Sequence, residues 1–209
     1  MGYMEELLER YPALAGCRRD AECAVERMVQ CYRSGGKILV CGNGGSCSDS
    51  DHIVGELMKG FHLKRPMDAK QAERFRAVLG EGAERYIERL QCGIPAIALP
   101  AQAAVLSAFA NDVDPELVYA QMVFGYARPQ DLLICISTSG NAGNAVAAAE
   151  VAQAMGIPVI ALTGERDSDL EKKAAVCIRV PDHETYRIQE LHLPVYHYLC
   201  AETEARLFS

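Results

Sequence analysis

The sequence lacks an excess of positive charge. It has 21 Lys and Arg against 28 Asp and Glu, a formal net charge of -7 and a pI of about 5.3. That balance argues against nucleic acid or an anionic membrane as a partner, while an anionic small molecule remains compatible because backbone dipoles bind phosphate inside acidic proteins. No apolar run is long enough to span a bilayer. There is no CxxC pair, no GxGxxG and no loop ending in GK[ST], so the patterns of redox dithiols, dinucleotide binding and the Walker A loop are missing. Internal repeats and low-complexity segments are absent too.

What is there is a chain of 209 residues, half of them hydrophobic. That suits one domain, or one domain carrying an insertion, with a core that needs no disulfides. The nine cysteines are odd in number and scattered, several in apolar runs such as "LLICIS". A free Cys there behaves as a small hydrophobe, which predicts a reduced, cytoplasmic chain. The opening "MGYMEELLERY" is acidic and amphipathic, unlike a secretory signal, and Glu6 breaks the myristoylation pattern.

Short apolar runs at 38–42, 95–100, 131–137, 158–164 and 174–180 predict five strands. Helical patterns fall at 3–14, 19–34, Ser48–Lys59, 142–156 and Thr185–Phe208. Continuous apolar strands alternating with helices predict an α/β protein with a parallel sheet covered on both faces. The charged stretch 62–93 reads as two helices broken near Gly80–Gly82, a helical insertion over the surface.

Two loops follow strands and precede helices, where ligands of parallel sheets collect. In "GNGGS" the glycines let backbone approach an anion and Ser46 adds a hydroxyl. In "ISTSGNAGN", Ser137, Thr138 and Ser139 are consecutive hydroxyls, Gly140 permits an unusual backbone angle and Asn141 is placed to cap the next helix. Two such loops suit a sugar phosphate held between them. Taken singly, each also reads as a capped turn.

His52 and Glu56 share a helix face at i, i+4. Gln189 and His197 lie eight apart on broadly one face of the last helix, with His192 on a neighbouring stripe. The four side chains meeting would make an N/O site suited to Zn²⁺. Spacing alone favours the plainer alternative, a surface His–Glu pair and core or interface histidines.

"CGNGGSCSDSDHIVGEL", "LICISTSGNAGNAV", "GIPVIALTG" and "RIQELHLPVYHYL" together resemble the sedoheptulose-7-phosphate isomerases (phosphoheptose isomerases) of the sugar isomerase (SIS) superfamily. The resemblance spans 1–209 as a single SIS domain, apart from an insertion at about 62–93. It implies a five-stranded parallel sheet in a flavodoxin-like three-layer sandwich, and a homotetramer with sites between subunits. It also implies interconversion of sedoheptulose 7-phosphate and D-glycero-D-manno-heptose 7-phosphate through an enediol. By the same resemblance a zinc ion falls on His52, Glu56, Gln189 and His197, and the catalytic pair on Glu56 and His197. Substrate contacts fall on Asn43, Gly44, Gly45, Ser46, Glu56, Asn111, Asp112, Ser137, Thr138, Ser139 and Gln189.

Two departures stand out. A family serine is Ala142 here, and a family arginine aligns near Gly60, for which Lys59, Arg65 or the arginines of 62–93 are candidate replacements. The rival readings are a non-catalytic SIS protein, such as the replication-initiator-associated factors, and a sensor or isomerase of another ketose phosphate. The non-catalytic relatives tend to lack the carboxylate and last histidine, and both are present here.

Overall fold

The structure is a computed structural model that describes residues 2–209. It opens with α1 (Tyr3–Arg10), a 3-10 turn (Pro12–Cys17) and α2 (Arg18–Arg33). The sequence predicts one helix over 3–14. It stops at Arg10 because Pro12 disfavours the helical region for Tyr11, which sits at φ -132°, ψ 71°.

β1 (Ile38–Gly42) leads into α3 (Gly45–Met58), and the insertion forms α4 (Ala69–Leu79), a 3-10 turn (Gly80–Ala83) and α5 (Glu84–Arg89). β2 (Ala96–Ala98), α6 (Ala103–Asp112), α7 (Val118–Tyr126), β3 (Leu132–Ile136) and α8 (Gly143–Ala154) follow. β4 (Val159–Thr163), α9 (Asp169–Lys173), β5 (Val176–Arg179) and α10 (Thr185–Phe208) complete the chain. α3 begins earlier than the predicted Ser48, since Ser46 and Cys47 already donate back to the carbonyls of Asn43 and Gly44. β2 is shorter than the predicted 95–100: Pro100 has no N–H to give a ladder, and Leu99–Ala101 turns as a 3-10 helix.

The five strands pair in parallel in the order β2-β1-β3-β4-β5, the flavodoxin-like order. Alternate residues feed two cores. Ile38, Val40, Leu132, Ile134 and Ile160 face α2, α3 and α10. Leu39, Cys41, Leu133, Cys135 and Ala161 face α7 and α8, and α8 approaches closely through Ala145, Ala148, Ala149 and Ala152. α3 is anchored by Ile53 and Leu57, each contributing about 1.5–3 kcal/mol of burial. All nine cysteines are free. No helix among the described residues is long and apolar enough to cross a membrane.

α3 and α10 are locked together at their far ends by a buried ion pair. Arg65 Nε donates to Glu204 Oε1 at 2.7 Å, both side chains being wholly buried. Glu204 also accepts the backbone N–H groups of Phe61, His62 and Leu63 at 2.7–2.9 Å. Burial alone raises its carboxyl pKa, and these donors more than reverse that, leaving it lowered. The guanidinium continues to the carbonyls of Leu57 and Glu56 at 2.6 and 3.3 Å, satisfying the last turn of α3.

The helices of 62–93 pack on each other, with Phe75 and Tyr86 rings 6.5 Å apart. Asp68 and Gln71 form a capping box at the start of α4. The hairpin foot closes where Pro66 bridges Gln91 and Cys92 N donates to Arg65 O.

Candidate active site

In this strand order the switch point lies between β1 and β3, and ligands collect outside the carboxyl ends there. Both predicted loops stand at that place. A side chain at Gly45 would run into the amide of Gln189 from α10, so only glycine lets the two helices meet. Gly140 takes φ +67°, the left-handed turn expected of it. The loops are tied by a reciprocal amide pair, Asn43 Nδ2 to Asn144 Oδ1 at 2.8 Å and Asn144 Nδ2 to Asn43 Oδ1 at 3.0 Å. From below, Tyr119 Oη donates to Gly42 O at 2.7 Å and lies 3.2 Å from Asn43 Oδ1.

Thr138 and Ser139 line a notch of about 220 Å³ with Asn141, Gly164, Arg166 and Thr185. Ser46 and Ser137 are buried beneath the loops. Thr185 is the first residue of α10, so the notch receives a helix N-terminus, hydroxyls and a guanidinium, alongside the carboxylates of Glu165, Asp167 and Asp182. Asn141 does not cap α8 as predicted. The turn at Gly140 carries it to α9, where its Oδ1 accepts from Asp169 N at 2.9 Å. Ala142 holds the α8 N-cap position without a side-chain bond.

From this end α3 and α10 run side by side in the same direction: Gly45 meets Gln189, and further along His52 meets Tyr196 and His197. His52 Nε2 lies 3.3 Å from Glu56 Oε1 and 3.4 Å from His197 Nε2. Lys59 Nζ holds the other Glu56 oxygen at 3.0 Å. His197's pKa is lowered, first by burial, then by His52, with Arg10 and His62 adding and Glu56 opposing. Beside His197 a cavity of about 320 Å³ opens between α1 and α10, lined also by Arg10, Phe61 and His62.

The structure therefore brings His52, Glu56 and His197 together. Gln189 shares their helix face but sits about 12 Å back along α10, over Gly45, and bonds to none of the three. Asn111 and Asp112 lie exposed at the end of α6, bonded to each other at 2.8 Å. An arginine cannot stand at Gly60 in this backbone, because a side chain there would strike Leu63 O and Gln91 Oε1. The cation at the trio is Lys59, the residue after α3. Arg65 is buried on Glu204 and Arg76 pairs with Glu84 within the hairpin.

Sequence reasoning missed Arg166, Asn144, Tyr119, Asp49 and Tyr196. Asp49 stands three residues before His52 and Tyr196 next to His197, so helical spacing carried a trace of both. Tyr196 Oη donates to Asp49 Oδ1 at 3.1 Å and touches His52 Nδ1 at 3.0 Å. Burial raises the pKa of Asp49, opposed by Tyr196 and His52, and burial with the Asp49 charge raises that of Tyr196.

No group of three or more His, Cys, Asp or Glu side chains poised for a metal ion is found among the described residues. The trio is two contacts sharing His52 Nε2 rather than three donors converged on a point. The donor set nonetheless suits Zn²⁺, which takes imidazole nitrogen and carboxylate oxygen. Ligand atoms on one tetrahedral zinc at about 2.0–2.1 Å lie about 3.3 Å apart, and the two contacts have that length.

The SIS domain family model matches residues 3–91 and 72–164. The phosphoheptose isomerase of Shewanella denitrificans is 34% identical, over 99% of this chain and 93% of that one. Among solved structures, the phosphoheptose isomerase of Neisseria gonorrhoeae has a TM-score of 0.70 at 28% identity, covering 96% of this chain and 98% of its own. That of Francisella tularensis has a TM-score of 0.73 at 26% identity, covering 98% and 100%. With its sheet order, its paired loops and relatives of matching length, this chain belongs to the phosphoheptose isomerase family of SIS-domain proteins.

Proposed function

We propose that this chain isomerises sedoheptulose 7-phosphate to D-glycero-D-manno-heptose 7-phosphate. One observation carries the reading. Two parallel helices, α10 starting at the hydroxyl-lined notch and α3 at the glycine loop after β1, bring a carboxylate and two histidines together further along. The phosphate is assigned to Ser46, Ser137, Thr138, Ser139 and the first amides of α10, of which Thr138, Ser139 and the start of α10 line the notch. Asn43, Gly44, Gly45, Gln189, Asn111 and Asp112 are assigned to the sugar.

Glu56 takes a proton from C1 of the ketose, and the electrons of that bond form the C1–C2 double bond as the C2 carbonyl electrons move onto O2. His197, its ring held neutral by a lowered pKa, takes the O1 proton and passes it to O2, so that the cis-enediolate carries its charge on O1. The electrons on O1 then re-form a carbonyl at C1 as C2 takes the proton from Glu56, giving the aldose. The reaction is internally balanced and needs no oxidant. A zinc ion is proposed on His52, Glu56 and His197, with Gln189 kept in the substrate role. When bound it supplies Lewis-acid polarisation of sugar oxygens.

The same reading makes the chain one SIS domain with 62–93 inserted, working in the cytoplasm, where nine free thiols stay reduced. It also makes it a homotetramer. In support, α6 buries none of its residues although it is mostly apolar, and Val105, Val113 and Phe124 are exposed. The non-catalytic reading is disfavoured by the paired presence of Glu56 and His197. The test is to add sedoheptulose 7-phosphate to the purified protein and follow the aldose by NMR, with and without Zn²⁺. Phosphate-dependent binding without aldose in either condition would favour the regulatory reading.

A further inference from the structure

Tyr196 is almost wholly buried, and its hydroxyl lies between Asp49 Oδ1 at 3.1 Å and His52 Nδ1 at 3.0 Å. A phenol has one hydrogen to donate, and Asp49 Oδ1 is an acceptor whether or not the buried, unpartnered Oδ2 carries a proton. The phenol proton therefore goes to Asp49, and the second contact is closed by a proton on His52 Nδ1 donated to the phenol oxygen. We propose that Asp49 and Tyr196 are positioning residues that hold His52 in its Nδ1–H tautomer, leaving the Nε2 lone pair facing Glu56 and His197.

The arrangement spans both helices, since Asp49 and His52 lie on α3 and Tyr196 on α10. The Tyr196 ring packs edge-on to His52, centroids 5.4 Å apart at 73°, so the hydroxyl and the imidazole are held in one relative orientation. On the far side of the ring, Nε2 stands 3.3 Å from Glu56 Oε1, and the proposed tautomer places its lone pair there. A ring whose other nitrogen is committed to a hydrogen bond presents such a lone pair to a divalent metal. The inference thus rests on the proposed zinc-bearing site and adds what orients its histidine. Neither Asp49 nor Tyr196 touches the reacting atoms in this account.

The experiment uses the full chain, metal-free and labelled with ¹⁵N-histidine, at a pH high enough that the His52 ring is neutral. ¹⁵N shifts of the ring nitrogens report which one carries the proton, with His52→Gln identifying the signals. In the unaltered chain the proton sits on Nδ1. In Asp49→Ala the freed phenol donates to Nδ1, and the ring proton moves to Nε2. Asp49→Asn, whose amide oxygen still accepts, keeps it on Nδ1. Tyr196→Phe removes the partner and mixes the two forms. Zinc affinity by chelator competition falls about 10–100-fold in Asp49→Ala. A proton on Nε2 in the unaltered chain, or an unmoved Nδ1 proton in Asp49→Ala, overturns the proposal. If Tyr196→Phe fails to fold, the two Asp49 variants decide it. The tautomer is read without turnover, so a chain inactive on the heptulose phosphate would sink the proposed function and leave this result standing.

Discussion

Arg65 and Glu204 meet at 2.7 Å with no solvent exposure on either side, and the same guanidinium reaches the carbonyl of the proposed base, Glu56. Removing one partner strands a buried charge. Glu204→Ala is therefore expected to destabilise the protein by about 3–5 kcal/mol, and the double change Arg65→Met, Glu204→Leu recovers only part of it, because the N–H groups of Phe61, His62 and Leu63 lose their acceptor. Denaturant titration of the three proteins checks this, and a loss below about 1 kcal/mol in Glu204→Ala would show that the pair is dispensable.

His192 is wholly buried beneath β4, with Nε2 3.3 Å from Thr163 O and no partner at Nδ1. Burial lowers its pKa from 6.5 to about 4. The folded state thus binds fewer protons than the unfolded state between those values. The stability involved is fully present above pH 6.5 and is lost as pH falls toward 4, by about 3 kcal/mol for this group. His192→Gln should flatten that part of the stability–pH curve. An unchanged slope would place the acid sensitivity elsewhere.

The hairpin of α4 and α5 packs mainly on itself, and Lys59 rather than any of its arginines stands at Glu56. Replacing 67–90 with a short Gly-Ser linker keeps Pro66, Gln91 and the Arg65–Glu204 pair. The expected result is a folded protein with unchanged KM for sugar phosphate. A raised KM would give the hairpin a part in substrate binding.

The strands and both loops were legible because apolar runs bounded by Gly and Pro report local backbone preferences. Ile38–Gly42 emerged with the predicted bounds, and the break at Gly80–Gly82 marks the hairpin turn. His52 with Glu56 was legible through the helical period. What stayed hidden joins residues far apart in sequence. Arg65 and Glu204 are 139 positions apart, and Asp49 and Tyr196 are 147 apart, so no periodicity connects them. Gln189 shows the limit of a face argument. Spacing sets the face of a helix, but the level along the axis is fixed only by which residue of α3 it meets, and that residue is Gly45.

Proton transfer by Glu56 is the centre of the account, and a solvent-isotope experiment tests it most directly. Sedoheptulose 7-phosphate is incubated with the protein in D₂O, and the product is examined by NMR for the aldose and for deuterium at its C2. The unaltered chain should form the aldose with deuterium at C2, because the proton on the Glu56 carboxyl exchanges with solvent before it returns. Glu56→Gln keeps the shape but cannot accept the carbon-bound proton, so its turnover should fall by about 10²–10⁴-fold while phosphate-dependent binding persists. Near-normal aldose formation by Glu56→Gln, or aldose from the unaltered chain without deuterium at C2 after many turnovers, would contradict Glu56 as the base that carries the proton through an enediol.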